Sequence, residues 1–494
     1  MNILDRIRDG RTLLGRGARG GAWLGAGSAS EQGFRFLRNL ILARLLAPEA
    51  FGVMAIVLTC CSLAQVLTGL GVKEAVIQSP HASEKTYLNG VWYLSMVRSL
   101  LIYVVAFVAA PWIEAFYREP GLSALLRLAF AAFLAQGALS PRVYIAIKRA
   151  NYFKWSLIQH GGGILGVLTT ITLAFVVKGV WALTIGYVME SVARLVLSMC
   201  VCPFWPGLHF TREHLLGLWR YTRGMFGMPV LTAIYSNASI IVVGKLCPKQ
   251  ELGRYAVVVA LATMGSSLLA DILRSVLLPA FAEIQSDAQR LNRYLMHITS
   301  AIIGLGIPAA VFTGLYAANI LALAFGNRYT SAAGPFAALF ANDVLAVCNV
   351  PVVALYLAIG RPSLLRRAAL IRALLVLLLI YPAVKYGGLW GAALTPAMAM
   401  VVSFGFQVAR VRSLTGLDVR QYLGIVPRAL LFSVPVVVAW VGARSLAKDG
   451  QPLAATVIGA GLTGAICAAV ALLAIRHRPL REFIWPKLSL ETAQ

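Results

Sequence analysis

The chain has 494 residues, 59% of them hydrophobic and only 13% charged, with a formal net charge of +25. An average soluble domain is about 25% charged, so this composition, with a mean hydropathy of +0.77, excludes a soluble or disordered chain and implies an integral membrane protein. In a soluble protein the positive charge would suggest nucleic acid; here the basic residues flank apolar runs, and no nucleic-acid partner is expected.

Residues 1–21 carry Arg6, Arg8, Arg11, Arg16 and Arg19 without the apolar core and small-residue cleavage site of a secretory signal, and read as a cytoplasmic basic arm. Fourteen apolar stretches follow, near 22–46, 52–72, 88–112, 122–147, 156–177, 180–202, 222–246, 254–277, 294–318, 333–358, 363–385, 388–410, 425–446 and 452–475. Each is long enough for a membrane-crossing helix. With the N-terminus in the cytoplasm, 26 of the 44 Lys and Arg residues fall in inner segments and nine in outer ones, which places both ends inside. Nearly all of the seven cysteines lie within the apolar stretches and suggest neither a disulfide framework nor a metal site. No cofactor is expected.

The turn after the first stretch has a double. "RLLAPEAFGVMAIVL" from Arg44 aligns without gaps to "KLCPKQELGRYAVVV" from Lys245, an offset of 201 residues that matches Gly52 to Gly253, Ala55 to Ala256 and Val57 to Val258. Six helices per repeat preserve orientation, so the two halves are expected to be related by an axis along the membrane normal. The expected fold is therefore an all-α polytopic membrane protein of about 14 helices. An N-lobe (22–205) and a C-lobe (206–415) of six helices each are followed by two extra helices (416–476) and a cytoplasmic tail (477–494). Two facing bundles suit alternating access.

The first stretch is the anomaly. Glu31, Arg35 and Arg38 are spaced i, i+4, i+7 on one helical face, with Gln32 and Asn39 beside them and Phe34, Leu37, Leu40 and Ile41 opposite. An ionisable group at membrane depth faces protein or water and is a functional candidate. Arg98, Arg142 and the pair Glu190 and Arg194 could share the same cavity, while the second bundle offers Asn237, Ser239, Asp271 and Asp343. The i, i+4 pair Glu190 and Arg194 reads as structural, as does Glu31 with Arg35 in the alternative to a coupling role. The glycines of "HGGGILG" (160–166) are not a phosphate loop, since no Gly-Lys-Ser/Thr follows, and are read as close-packing positions. Arginine's fork matches phosphate oxygens, so a cationic cavity fits an anionic cargo such as a lipid diphosphate.

"ILARLLAPEAFGVMAIVL…LGVKEAVIQ" (41–78) resembles the first helices of the Wzx-type oligosaccharide-lipid flippases, in the polysaccharide transporter family of the MOP exporter superfamily. "KRANYFKWSLI" (148–158), "GVWALTIGY" (179–187), "VVGKLCPKQELGRYAVV" (242–258) and "VLLPAFAEIQSDAQRL" (276–291) resemble that family in the same order. The resemblance implies a non-enzymatic transporter in the bacterial inner membrane. Its cargo would be undecaprenyl-diphosphate-linked oligosaccharide units for exopolysaccharide or lipopolysaccharide O-antigen. A coupling cation, H+ or Na+, and partner polymerase and export machinery are implied with it. Where the family often has Asn-x-Asp in the seventh helix, this chain has Asn237-Ala238-Ser239, so that carboxylate is missing. Arg35, Arg38, Arg98 and Arg142 are the expected diphosphate ligands, Gln32, Asn39, Tyr93 and Asn237 the polar sugar contacts, and Glu31 and Asp271 the ion-coupling carboxylates. A small-molecule exporter of the superfamily and a lipid II flippase are the alternatives. A membrane polymerase or glycosyltransferase is disfavoured by short outer loops without paired carboxylates.

Overall fold

The structure is a computed structural model, and it describes residues 13–67, 71–149, 151–207, 209, 228–446, 459 and 461. The fourteenth crossing apart from residues 459 and 461, the tail, most of the basic arm and Cys467 lie outside the described residues. Every regular element described is helical. Ten described helices are long and apolar enough to cross a membrane, or eleven if one bent pair counts as a span; the helix at the first expected crossing (22–46) is not among them, since its charged and polar residues lower its hydropathy. The chain is a multi-pass membrane protein.

In chain order the principal helices are α1 (Leu13–Leu45), α2 (Pro48–Leu67), α3 (Lys85–Tyr117), α4 (Leu122–Gly137), α5 (Gly162–Val176) and α6 (Val180–Val201). They continue as α7 (Met228–Leu246), α8 (Lys249–Glu283), α9 (Ala288–Phe325), α10 (Ala333–Ala358), α11 (Pro362–Thr415) and α12 (Val434–Leu446). Contacts divide the chain into two compact units that part between Ala256 and Val257.

α3 shows how the sequence selects its environment. Val97, Leu101, Val105, Val108 and Trp112, at helical spacing, are all more than half exposed, whereas Ser99, Ile102, Ala106 and Ala110 on the other side are buried. A helix with its large apolar side chains outward and its small residues inward is built for lipid outside and close helix packing inside. At its end Arg118 and Gly121 take positive φ, and the Glu114 carboxylate accepts the amides of Gly121 and Ser123 at 3.3 and 2.8 Å, closing the α3–α4 hairpin.

The fourth apolar stretch bends by 62° between Gly137 and Arg142. Pro141 has no amide hydrogen to continue the helix. The Ala138 carbonyl is taken up by Trp92 Nε1 at 3.2 Å, and the Ser140 amide by Ser198 Oγ at 3.3 Å. Within this first unit α4 packs on α3 and α6, α5 on α6 and α1, and α7 on α2.

The repeat-related positions meet inside the first unit. A Cβ added to Gly52 would collide with the Lys249 carbonyl and sit 3.0 Å from Gly253 N, and a Cβ on Gly253 would strike the Pro48 carbonyl. The N-terminal turns of α2 and α8 therefore touch backbone to backbone, which only glycine permits at this separation.

In the second unit α9 begins at an Asp287 cap that accepts from the Gln289 and Arg290 amides. α9 runs 38 residues, which at 1.5 Å per residue is about 57 Å, well beyond the hydrocarbon core of about 30 Å. α11 is two helices joined at Gly388 (φ 53°, ψ −132°), a conformation reserved for glycine, at the "YGGLWG" turn between the eleventh and twelfth apolar stretches. Buried polar ties fasten this unit: Tyr356 Oη donates to the Gln407 carbonyl at 2.6 Å, Ser403 Oγ to the Ala368 carbonyl at 3.0 Å, and Asn292 pairs with Thr415.

Candidate functional site

α1 is amphipathic with its polar face turned inward. Phe34 and Leu37 are exposed, while the Glu31 side chain keeps only 13% of its surface and Arg35 30%. The polar face meets α6 and the turn that leads into α5, all within the first unit.

Glu31 is the centre of a buried ion network. Arg35 donates to Glu31 Oε1 through Nε (2.9 Å) and Nη2 (2.8 Å), and the same Nη2 reaches Glu190 Oε1 of α6 at 2.6 Å. Arg194, one turn on from Glu190, pairs with Glu190 Oε1 at 2.7 Å and lies 3.6 Å from Glu31 Oε1. His160 Nδ1 is 2.6 Å from Glu31 Oε2. Two carboxylates thus face two guanidiniums and an imidazole. Arg38 stands one turn further along the same face, with no carboxylate partner among the described residues; its Nε and Nη2 donate to Asn39 Oδ1 at 3.3 and 3.2 Å. Counting Arg38, the cluster carries a net charge of +1 with the imidazole neutral.

The backbone makes room for these side chains. Residues Leu157–Gly161 form a π-turn, which widens the helix and turns the Gln159 carbonyl toward Arg194 Nε at 3.3 Å. The glycines that follow form a bare wall. A Cβ on Gly162 would run into the Arg194 side chain, one on Gly163 would lie 2.7 Å from Glu31 Cδ, and one on Gly166 would lie 3.0 Å from Glu190 Cγ. Gly27 of α1 leaves the space that His160 and Ser156 occupy. Three of the "HGGGILG" glycines, Gly162, Gly163 and Gly166, are close-packing positions, and what they pack against is the ion network.

The remaining expected residues lie elsewhere. Gln32 is half-buried on α1. Arg98 donates to the Gln65 carbonyl of α2 at 3.5 Å. Arg142 is exposed beyond the bend of the fourth stretch, bonded to the Pro203 carbonyl at 2.7 Å and set over the Phe204 ring. Tyr93 is half-buried, edge-on to Trp92. Asn237 ties α7 to α2 through the Ala233 carbonyl (2.8 Å) and Ser62 Oγ (3.5 Å). Asp271, on α8 in the second unit, is largely exposed and pairs with Arg274 at 3.3 Å. Elsewhere in that unit Asp343 accepts from Asn342 Nδ2 at 3.5 Å, and its other carboxylate oxygen is buried without a hydrogen-bond partner among the described residues.

Sequence reasoning did not select His160; it placed Glu190 and Arg194 among the charges that could share the cavity, but read the two as a structural pair along one helix. Those three complete the network. The signal was the glycine run itself, because three small residues in one helical turn beside a histidine mark a place where bulky neighbours approach. Chemically, the network is a preorganised set of guanidiniums with a single excess positive charge, set against the middle of α6, a helix apolar enough to cross a membrane.

Three comparisons bear on this chain. The family model for polysaccharide biosynthesis protein matches residues 41–334. The succinoglycan biosynthesis transport protein ExoT of Rhizobium meliloti (strain 1021) is 25% identical over 365 residues, covering 73% of this chain and 72% of that protein. The lipopolysaccharide biosynthesis protein WzxC of Escherichia coli (strain K12) is 21% identical over 432 residues, 85% of this chain and 86% of that one. Among solved structures, the lipid II flippase MurJ in an inward closed conformation superposes with a TM-score of 0.74 at 14% identity, covering 92% of this chain and 99% of that one. An inward-facing multidrug resistance MATE family transporter of the MOP superfamily gives 0.58 at 14% identity, over 79% of this chain and 98% of the transporter. These two structural likenesses speak for the fold.

Proposed function

We propose, from the premise that this chain belongs to the polysaccharide biosynthesis protein family, that it is a transporter that flips lipid-linked oligosaccharide units across the bacterial inner membrane. The cargo is a saccharide on an undecaprenyl diphosphate carrier, bound for exopolysaccharide or lipopolysaccharide O-antigen, and both termini are cytoplasmic. The observation that carries this reading is the guanidinium cluster of α1 and α6, held among apolar helices and one charge in excess. An anionic headgroup neutralises that excess, whereas a cationic small molecule is repelled by it.

Fourteen crossings arranged as two six-helix bundles and an added pair would carry the motion, with the repeat-related glycines Gly52 and Gly253 at a close contact between repeat helices. Arg38 offers the diphosphate its first contact, because Arg35 and Arg194 are engaged by carboxylates until cargo competes for them. Asn39 holds Arg38, while Gln32, Arg98, Arg142, Tyr93 and Asn237 belong to a wider polar lining for the diphosphate and saccharide. A coupling cation, H+ or Na+, is part of the reading. Of the two carboxylates expected to bind it, Glu31 is committed to Arg35, Arg194 and His160, which makes Asp271 the candidate. Polymerase and export machinery would take the unit outside.

The test is deletion of the gene in its host, with lipid-extractable diphosphate oligosaccharides and surface polymer measured together. Accumulated lipid-linked units with lost polymer support the flippase and reveal the cargo by mass. Normal intermediates and polymer with an altered drug profile would replace it with a small-molecule exporter.

A further inference from the structure

The cluster contains one group whose charge ordinarily changes between about pH 5 and 8, the His160 imidazole; the guanidiniums keep theirs throughout. It is held by geometry, at the end of the π-turn, in the space left by Gly27, with Nδ1 2.6 Å from Glu31 Oε2. The charged groups of the network around it are Glu31 and Arg35 from α1 and Glu190 and Arg194 from α6, with Arg38 one turn further along α1. α5 carries no ionisable side chain, and Lys154, on the short helix before the π-turn, is exposed.

We propose that His160 is a proton-binding positioning residue for the anionic headgroup, and that proton and headgroup bind the site with mutual reinforcement. The inference rests on the anion-site reading above. Glu31 offers only acceptors, so the neutral ring carries its hydrogen on Nδ1 and takes the added proton on Nε2. The bond to Glu31 is kept, and only the charge changes. The cluster then carries +2 in place of +1. Glu31, now facing an imidazolium, holds Arg35 and Arg194 less tightly, and both guanidiniums can turn toward phosphate oxygens.

Linkage makes the effect reciprocal: if the proton tightens the headgroup by some factor, the headgroup tightens the proton by the same factor. This is the opposite sign from exchange by competition at one site. A proton reaching His160 from the acidic side retains the headgroup and does not expel it, so a driving ion must act somewhere other than this ring.

The experiment uses the purified full-length protein in nanodiscs, with a P1-farnesyl, P2-methyl diphosphate diester as the probe. This diester keeps its charge across the range, so any pH dependence belongs to the protein. Calorimetric affinities are taken at about pH 8, 7 and 6 for the wild type, His160→Asn and Arg38→Ala. Asparagine places its Nδ2 where Nδ1 stood and keeps a donor to Glu31, but it cannot take a proton. The wild type is expected to bind more tightly toward acid, by at most about tenfold per pH unit for one linked proton. His160→Asn should hold the weak, high-pH affinity throughout.

Parallel profiles for the two proteins overturn the role of His160 while leaving the anion site standing, provided that Arg38→Ala still weakens binding by about 30- to 150-fold. A wild type that binds the probe at no pH sinks the anion site and this inference together. Should His160→Asn fail to fold, proton uptake by the wild type decides. Binding measured in two buffers of different ionisation enthalpy should show protons taken up, and zero uptake overturns the proposal.

Discussion

Arg35 and Arg38 look equivalent in the sequence, and the structure separates them. Arg35 makes bonds of 2.9 and 2.8 Å to Glu31 and 2.6 Å to Glu190. Arg35→Ala leaves two buried carboxylates sharing Arg194 and His160, and breaking a buried pair in this way costs about 3–5 kcal/mol of stability. Arg38 has no such partner, so in Arg38→Ala the lost packing of its stem is offset by relief of a guanidinium beside Arg35, leaving a change of about 1 kcal/mol or less. What Arg38→Ala does lose is a charge-assisted bond to the headgroup, worth about 2–3 kcal/mol. That is about 30- to 150-fold in affinity at 1.4 kcal/mol per decade, and flux should fall by the same factor when cargo is below saturation. The assay pairs polymer production in a complemented deletion strain with thermal unfolding of the purified variants. Arg38→Ala should unfold like the wild type and export little, whereas Arg35→Ala should be poorly stable. Normal polymer from Arg38→Ala at wild-type expression, or an Arg35→Ala protein as stable as the wild type, refutes this division of labour.

The glycine wall gives an internally controlled pair: Gly163→Ala places a methyl 2.7 Å from Glu31 Cδ and should cost about 1–3 kcal/mol, whereas Gly161→Ala meets Leu197 Cδ1 at 3.5 Å and Leu157 Cδ1 at 3.7 Å, ordinary contacts, and should be neutral or stabilising by up to about 1 kcal/mol. Equal melting temperatures for the two variants would remove the wall from the account. At the repeat contact, Gly52→Ala and Gly253→Ala should each force α2 and α8 apart at their N-terminal turns and cost about 1–3 kcal/mol. The double variant should cost much less than twice either one, because both methyls open the same contact; strict additivity in thermal unfolding would show that the sites are independent.

Much of the fold was legible because lipid imposes a simple rule on the chain. Apolar runs in the sequence became helices, and the break at "YGGLWG" became a positive-φ joint, whereas the bend at Pro141 fell inside a stretch (122–147) that hydropathy reads as continuous. The extent of α8 and α9 was not legible from hydropathy, because each begins as polar helix (249–253 and 288–293) ahead of its apolar stretch and runs on past its end. The inward face of α1 was legible, since Glu31, Arg35 and Arg38 fall on one side of a 3.6-residue period. Their pairing was not: Glu190 and Arg194 were expected near the same cavity, but an i, i+4 spacing pairs them with each other and says nothing of the bonds they make to Arg35 and Glu31. The π-turn that delivers His160 has a hydrogen-bond pattern stabilised by Arg194 on another helix, which no local window contains.

The network also suggests how a site can bind a diphosphate and still release it. If Arg35, Arg38 and Arg194 were all unpaired, three charge-assisted contacts of about 2 kcal/mol each would hold the headgroup too tightly for turnover. Glu31 and Glu190 prevent this. A phosphate that gains Arg35 or Arg194 must first displace a carboxylate already bonded at 2.6–2.9 Å, so the net gain is small and the exchange is reversible. The carboxylates also keep the empty cavity stable, since three unpaired guanidiniums at membrane depth would each cost about 2.5–3.5 kcal/mol. Glu31 and Glu190 act as internal stand-ins for the cargo's charge, and Arg38 is the one guanidinium they leave for it.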